Sequence, residues 1–250
     1  MRRIVIFATM LLMACYLLNA CSLWDKTHKV YKKYVNTDPQ VDLEGVDFDE
    51  QEEKMASLFS PVDTPVNSLV KYLGAKDVFP GDRWFEELFQ RYPWISGTVV
   101  SKMSGEILQR QPETGLKPLH LAPLLKNSEL LRERRMVTFF DDTPLGPEVY
   151  LGTGFFHEND LLGALVVYFD IRNLLRFSPN PDDILVFTPQ LVLWAGKYEN
   201  VAPSLLEEPW EEILKHEVDG ELETDRGTFF WLARYLGDKQ ILYATEVVRD

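Results

Sequence analysis

Cysteine is almost absent from this chain of 250 residues. Its two cysteines, Cys15 and Cys21, both lie near the N-terminus. The chain beyond residue 21 therefore forms no disulfide of its own, no thiolate metal site and no cysteine nucleophile. Because 46% of the residues are hydrophobic and 12% are aromatic, a sizeable core can form, and the packing of that core must supply the stability.

Positive charge is scarce. Only 26 Lys and Arg stand against 39 Asp and Glu, which gives a net charge of −13. The first twenty residues contain two Arg and no acid, so the chain without them carries −15. Such a surface repels nucleic acid and anionic membranes, and we expect no nucleic-acid partner. The charge suits plain solubility, and it also suits cationic or zwitterionic ligands.

Motifs of enzymatic catalysis are also missing. The sequence contains no Gly-x-Ser-x-Gly elbow, no Walker loop and no His-Glu-x-x-His motif. His157 and His216 each have acidic neighbours, but both fall in expected turns or helix ends, where solvated side chains are the rule. A metal site needs three or four converging ligands. The sequence therefore predicts a protein that is not an enzyme and that carries neither a metal nor another cofactor.

The N-terminus has the pattern of a secretory signal peptide. Arg2 and Arg3 precede an uncharged run, Ile4 to Leu18, and a small residue, Ala20, precedes Cys21. The run has 15 residues, fewer than the roughly 20 that a helix needs to span a bilayer. This pattern predicts a signal peptide over residues 1–20.

Leu18-Asn19-Ala20-Cys21 resembles the lipobox of bacterial lipoproteins. The resemblance implies cleavage before Cys21 and acylation of that cysteine, with palmitate among the chains, so that the protein is a lipid-anchored membrane partner facing the periplasm. Ser22 rather than Asp follows the cysteine, which by resemblance to enterobacterial sorting favours the outer membrane over the inner one. The alternatives are an uncleaved N-terminal anchor, or an ordinary signal peptide with a chance cysteine.

Residues 21–54 are expected to form a tether and linker. Lys26, Lys29, Lys32 and Lys33 lie close together and can touch acidic headgroups, or they belong to a soluble linker or the start of a helix. Residues 38–53 include eight acids and no Lys or Arg, which favours a solvated acidic segment.

Periodic patterns predict a folded part from Met55 onward. Thr64-Pro65 is typical of a helix start, and Gly74 is placed to end that helix. A second amphipathic helix is predicted over residues 83–91, and a helix broken near Asn127 over 121–134. The predicted strands of this part are 95–101, 106–110, 135–140, 149–156 and 161–171, the last of them central and buried.

The same order of elements recurs in a shorter second copy. Its predicted strands are 184–187, 191–194, 228–235 and 240–248, with a short helix near Trp210 that Gly220 ends. We therefore predict an α+β fold of two like modules, each an antiparallel sheet with flanking helices. The first module, with the N-terminal helices, covers 55–175, and the second, smaller one covers 176–250.

Residues 55–250 resemble the Cache family, the PAS-like extracytoplasmic sensor domains, in their double-module form. The segments that carry the resemblance are 84–100, 104–108, 162–175 and 227–234. The chain departs from the family in having no second apolar run of spanning length and no cytoplasmic output region. It also lacks, at 131–136, the Arg followed closely by Trp and Tyr of the amino-acid-binding subgroup, whereas Asp170 matches an acidic residue of that subgroup that can grip an amino group.

The resemblance implies a ligand site between the concave face of the first sheet and the segment 111–135. Arg134 is the candidate for a carboxylate, Tyr150 and Tyr168 for flat apolar walls with a polar tip, and Asp170 for an amine. In the competing interpretation, Arg134 and Asp170 pair with each other or face water, and side chains fill the pocket.

Two functions are compatible with these patterns. The first is a lipid-anchored ligand-binding, sensor-like module of the cell envelope without its own output domain, with a small molecule as its partner. The alternative is a structural or interaction lipoprotein that uses the PAS-like shape to bind another envelope protein.

Overall fold

The computed structural model describes residues 50–247 of the chain. The expected signal peptide, Cys21 and most of the expected linker lie outside these residues. Along the described part, no helix has the length and apolarity needed to cross a membrane.

The folded part opens with one long helix, α1 (Glu50–Gly74). Its buried stripe recurs every three or four residues and consists of Met55, Leu58, Val62, Val66, Leu69 and Leu73. The helix ends at Gly74 as predicted, but the predicted start at Thr64-Pro65 is wrong, because the helix runs through Pro61 and Pro65. Each proline removes a backbone hydrogen bond, and burial of the uninterrupted apolar stripe outweighs that loss.

The first sheet follows α2 (Asp82–Arg91) and has five antiparallel strands in the order β2-β1-β5-β4-β3. The strands are β1 (Gly97–Lys102), β2 (Ile107–Gln111), β3 (Val137–Thr143), β4 (Gly146–His157) and β5 (Asp160–Phe169). Two short helices, α3 (Ala122–Leu125) and α4 (Ser128–Arg132), connect β2 to β3, and the predicted break near Asn127 separates them. The apolar run 161–171 is the central strand, as predicted, and β5 is buried from Gly163 to its end.

The second sheet repeats the order of the first, β7-β6-β10-β9-β8. Its strands are β6 (Leu185–Phe187), β7 (Val192–Trp194), β8 (Asp219–Thr224), β9 (Gly227–Leu236) and β10 (Lys239–Glu246). The expectation that Gly220 ends a helix is wrong, because Gly220 lies within β8. This edge strand alternates acids with partly buried residues, a pattern that resembles a solvated linker in the sequence.

Helices cover both faces of each sheet. One core cluster joins α1 and α2 to a face of both sheets. The helices α3 and α4 pack on the other face of the first sheet. In the second module, α6 (Ala202–Leu206) and α7 (Trp210–Ile213) take the equivalent place, while α5 (Arg172–Leu175) links the modules. The predicted fold class, α+β with two antiparallel sheets and flanking helices, is confirmed.

Candidate functional site

Four polar side chains meet on the face of the first sheet that α3 and α4 cover. Glu148 and Tyr150 are two residues apart on β4, and Tyr168 and Asp170 are two apart at the end of β5. Residues two apart on a strand share a face, and Tyr150 lies opposite Tyr168 in the β4–β5 register. The structure therefore brings three of the four candidate ligand residues together.

The two tyrosines form the floor of this group. Their rings stack with centroids 5.6 Å apart and an angle of 27° between planes. The Tyr150 hydroxyl donates a hydrogen bond to the carbonyl of Pro118 at 3.2 Å, and burial raises the pKa of Tyr150 to about 12. Tyr150 is thus a neutral donor at physiological pH.

The Tyr168 hydroxyl is buried and has no hydrogen-bond partner among residues 50–247. It lies so close to β1 that a Cβ atom on Gly97 would be 2.3 Å from its oxygen. Only glycine leaves room for the ring at this position. A buried hydroxyl of this kind is an exception in proteins, and its position defines a point where a polar group would be accepted.

A lysine neutralises the carboxylates above the tyrosines. The Lys117 ammonium lies 2.7 Å from Glu148 Oε2 and 2.7 Å from Asp170 Oδ2, and it donates to the carbonyl of Pro147 at 2.9 Å. The side chain of Glu148 is only 1% exposed. Two of these contacts, to Asp170 and Pro147, are hydrogen bonds, whereas the contact with Glu148 is an ion pair and neither Glu148 oxygen accepts a hydrogen bond from the described residues. An internal cation therefore occupies the place that the sequence assigned to a ligand amine.

Arg172 completes the surroundings of Asp170. The Asp170 carboxylate accepts hydrogen bonds from the backbone N–H of Arg172 at 2.9 Å and from its Nε at 2.8 Å. Burial acts to raise the pKa of the Asp170 carboxyl, but the hydrogen bonds from Arg172 and Lys117 outweigh it and hold the pKa below its ordinary value. Asp170 is ionised at neutral pH and saturated by protein cations.

Arg134 lies outside this group. Its guanidinium pairs with Asp77 at 2.8 Å and stacks over the ring of Phe156, 4.0 Å from the centroid. Phe156 is six residues beyond Tyr150 on β4, roughly 20 Å along a strand. Arg134 and Asp170 therefore do not pair, and Arg134 does not join the other three candidates. The chain turns sharply at Arg134, which has a positive φ of 60°, and this turn directs the side chain to the far end of the sheet.

Sequence reasoning missed Lys117, Glu148 and Arg172. Glu148 could have been identified, because it directly precedes the predicted strand 149–156 and alternates with Tyr150. Lys117 lies between β2 and α3, where no periodicity indicates which way a side chain points.

An open cleft of about 640 Å³ lies beside the buried group, between the β1–β2 hairpin and the segment 119–126. Arg110 and His120 line it. Arg110 is opposite Val99 in the register and shares the face of Tyr168, since Gly97 is opposite Tyr168. His120 Nδ1 lies 2.7 Å from Asp141 Oδ2. Because a β-bulge interrupts the β1–β2 register, alternation along β2 does not predict which face Arg110 occupies.

A second cleft, of about 720 Å³, lies where the first module meets the second. Strand β3, the β6–β7 turn, the α7 region and the β9–β10 hairpin surround it, and its walls carry both Glu211 and Lys215. In residues 50–247 we find no group of three or more His, Cys, Asp or Glu side chains that could hold a metal ion.

Comparison with solved structures identifies the fold. The extracellular domain of a protein described as a histidine kinase, vpHK1S-Z8, matches with a TM-score of 0.53 at 10% identity, over 79% of this chain and 90% of that one. A domain of a sensory box/GGDEF family protein from Vibrio parahaemolyticus matches with a TM-score of 0.52 at 10% identity, over 80% and 96%. No protein-family model and no curated sequence matches the chain.

An extracellular ligand binding receptor from Desulfohalobium retbaense matches with a TM-score of 0.50 at 14% identity, over 78% of this chain. The chain spans only 38% of the length of that receptor. At such identities the similarity concerns the fold, which is that of the Cache/PAS-like sensor domains.

Proposed function

We propose that this protein is a lipid-anchored, sensor-like module of the cell envelope that binds a small molecule in its first module. The observation that carries the proposal is the open cleft of about 640 Å³ between the covered face of the first sheet and the segment 119–126. Small-molecule sites in proteins are concave and of this size. The extracellular nature of the domains with the same fold supports an envelope location.

The anchor is the second part of the proposal. Leu18-Asn19-Ala20-Cys21 supports cleavage before Cys21 and its acylation, and Ser22 favours the outer membrane. A basic stretch beside an acyl anchor adds attraction to acidic headgroups of about 1 kcal/mol for each Lys near the surface.

A thermal-shift screen of the full chain against a metabolite library tests ligand binding. A ligand at a hundredfold excess over its Kd stabilises the folded state by ~2.7 kcal/mol. The matched variant is Ile107→Glu, which puts a charge on a side chain that lines the cleft and is 47% exposed, so the fold tolerates it. A hit that stabilises the wild type and not Ile107→Glu supports the proposal. A hit that stabilises both equally contradicts it.

One observation favours the alternative, an interaction lipoprotein. Lys117 forms ion pairs with Glu148 and Asp170, so an internal cation already balances the charge of these carboxylates without a ligand. If no compound in the library stabilises the chain, the PAS-like shape is better explained as a surface for another envelope protein.

A further inference from the structure

The open cleft of the first module has an apolar wall. The side chains that form it are Met103, Ile107, Leu119, Leu121 and Leu125. Ile107 is 47% exposed, and Leu119 and Leu125 are partly buried. A hydrocarbon chain that packs along this wall removes its own apolar surface and that of the wall from water, which favours binding.

The charges around the cleft are of one sign. Its walls contain the cations Arg110 and Lys126, and among the described residues no Asp or Glu lines it. This is unexpected in a chain with 39 acids and 26 Lys and Arg. The cleft between the modules differs, because Glu211 and Asp238 line it together with lysines. The first-module cleft is therefore a local site of positive potential on an acidic protein.

The Arg110 guanidinium forms no ion pair among the described residues. Its Nε atom is buried, and within residues 50–247 it has no hydrogen-bond partner. Arg110 Nη2 and the unpartnered Tyr168 hydroxyl both converge on Gly115, where they lie 2.8 and 3.8 Å from the position of a Cβ atom. A buried guanidinium nitrogen without a partner is costly, and a carboxylate satisfies the fork with two parallel hydrogen bonds.

The same geometry argues against an amino acid as the ligand. An ammonium group needs a carboxylate, and the two nearby buried ones, Glu148 and Asp170, are held by Lys117. Among the described residues that line the cleft, Arg110 has a buried nitrogen without a hydrogen-bond partner, and the wall next to it is apolar.

We propose that this cleft binds an amphiphilic monocarboxylate, with its carboxylate on Arg110 and its hydrocarbon chain along the wall from Met103 to Leu125. The proposal rests on the proposed function, since it names the ligand class of the same module.

Equilibrium dialysis of radiolabelled decanoate, below its micelle concentration, tests the proposal on the full chain in lipid nanodiscs, with empty nanodiscs subtracted. We expect saturable binding to the wild type. Arg110→Gln should weaken it at least tenfold, because a charge-assisted fork is lost. Arg132→Gln, a change at an exposed arginine on α4, is the matched control and should bind as the wild type does.

Stability separates a ligand role of Arg110 from a structural one. Because the buried Nε of Arg110 has no hydrogen-bond partner among the described residues, Arg110→Gln should leave the unfolding midpoint unchanged or raised. A lowered midpoint together with unchanged decanoate binding would overturn the assignment.

Competing compounds test the ligand class. Decylamine and acetate should not displace decanoate, since the first lacks the anion and the second lacks the chain. Displacement by decylamine, or binding of a lysophospholipid in preference to decanoate, refutes the carboxylate assignment.

If decanoate does not bind while another library compound binds the wild type and not Ile107→Glu, the ligand class is wrong and the proposed function stands. If every compound that stabilises the wild type stabilises Ile107→Glu equally, or if none stabilises the wild type, both the ligand class and the proposed function are wrong.

Discussion

The Lys117 ammonium lies 2.7 Å from Asp170 Oδ2, and it joins the loop before α3 to the end of the central strand β5. The same ammonium lies 2.7 Å from Glu148, whose side chain is 1% exposed. Through these contacts the Lys117 side chain connects the loop before α3 to both β4 and the end of β5.

Lys117→Met should destabilise the fold, because it leaves Glu148 buried without its cation. We expect a loss of about 3 kcal/mol in the free energy of unfolding, measured by urea denaturation at pH 7. The control is Lys215→Met, which removes an exposed pair with Glu212 and should cost below about 1 kcal/mol. Equal effects of the two changes would show that the Lys117 pairs add nothing.

Asp170 should make stability depend on pH in the acidic range. Its folded-state pKa is below the ordinary value of 3.8, so its contribution is fully present above about pH 4 and is lost as the pH falls through the folded-state value. The difference in unfolding free energy between wild type and Asp170→Asn should therefore shrink as the pH falls below 4.

Asp63 provides a comparison of opposite sign. Burial raises its pKa, although Arg234 opposes the shift, so the folded state binds the proton more tightly than the unfolded chain. Stability should fall as the pH rises from 3.8 through this raised pKa, and Asp63→Asn should remove that decline. A wild-type advantage over Asp63→Asn that grows over this interval would contradict the assigned direction.

Much of the first module follows from the sequence, because its strands are long and apolar. The run 161–171 is buried in the middle of the sheet, and its almost uniformly apolar composition predicts that position. The strand β8 is an edge with alternating exposure, so its acids resemble a linker. The predicted start of α1 was wrong because the effect of proline was judged from local hydrogen bonds alone. Burial of the apolar stripe against both sheets stabilises the helix across its two prolines.

The site was less accessible to sequence reasoning. Tyr150 and Tyr168 lie on strands, where alternation fixes the face, and Asp170 directly follows β5; the structure brings the three together. Arg134 lies in a turn, and its direction depends on a positive φ that the sequence does not show. Lys117 lies in a loop and Arg110 lies next to a β-bulge, so periodicity does not predict where either side chain points.

Gly97→Ala should disturb the tyrosine floor. Its new methyl group would be 2.3 Å from the Tyr168 oxygen and 2.8 Å from the Gln111 carbonyl, so we expect a loss of about 2 kcal/mol. Gly74→Ala, with nothing within 4 Å of its Cβ, is the control and should not destabilise by this route.

Tyr168→Phe should be neutral or stabilising, since it removes a buried hydroxyl that has no partner among the described residues. A loss above about 1 kcal/mol in the free energy of unfolding would show that the hydroxyl is satisfied.

Cys21→Ser tests the anchor. The change should abolish acylation and shift the protein from the membrane to the soluble fraction, because stable attachment needs more than one acyl chain. Metabolic labelling with palmitate, followed by carbonate extraction, measures both effects. A correctly cleaved Cys21→Ser protein that resists extraction would exclude the lipid anchor.

Recognition of a small molecule in the cleft beside Arg110 should change the backbone dynamics of the first module. Hydrogen–deuterium exchange of the full chain, with and without a saturating ligand from the screen, measures this change. We expect protection in 103–110 and 119–126, which line that cleft, and none in 188–191 or 235–240, which line the cleft between the modules. Protection confined to 188–191 and 235–240 would contradict recognition in the cleft beside Arg110.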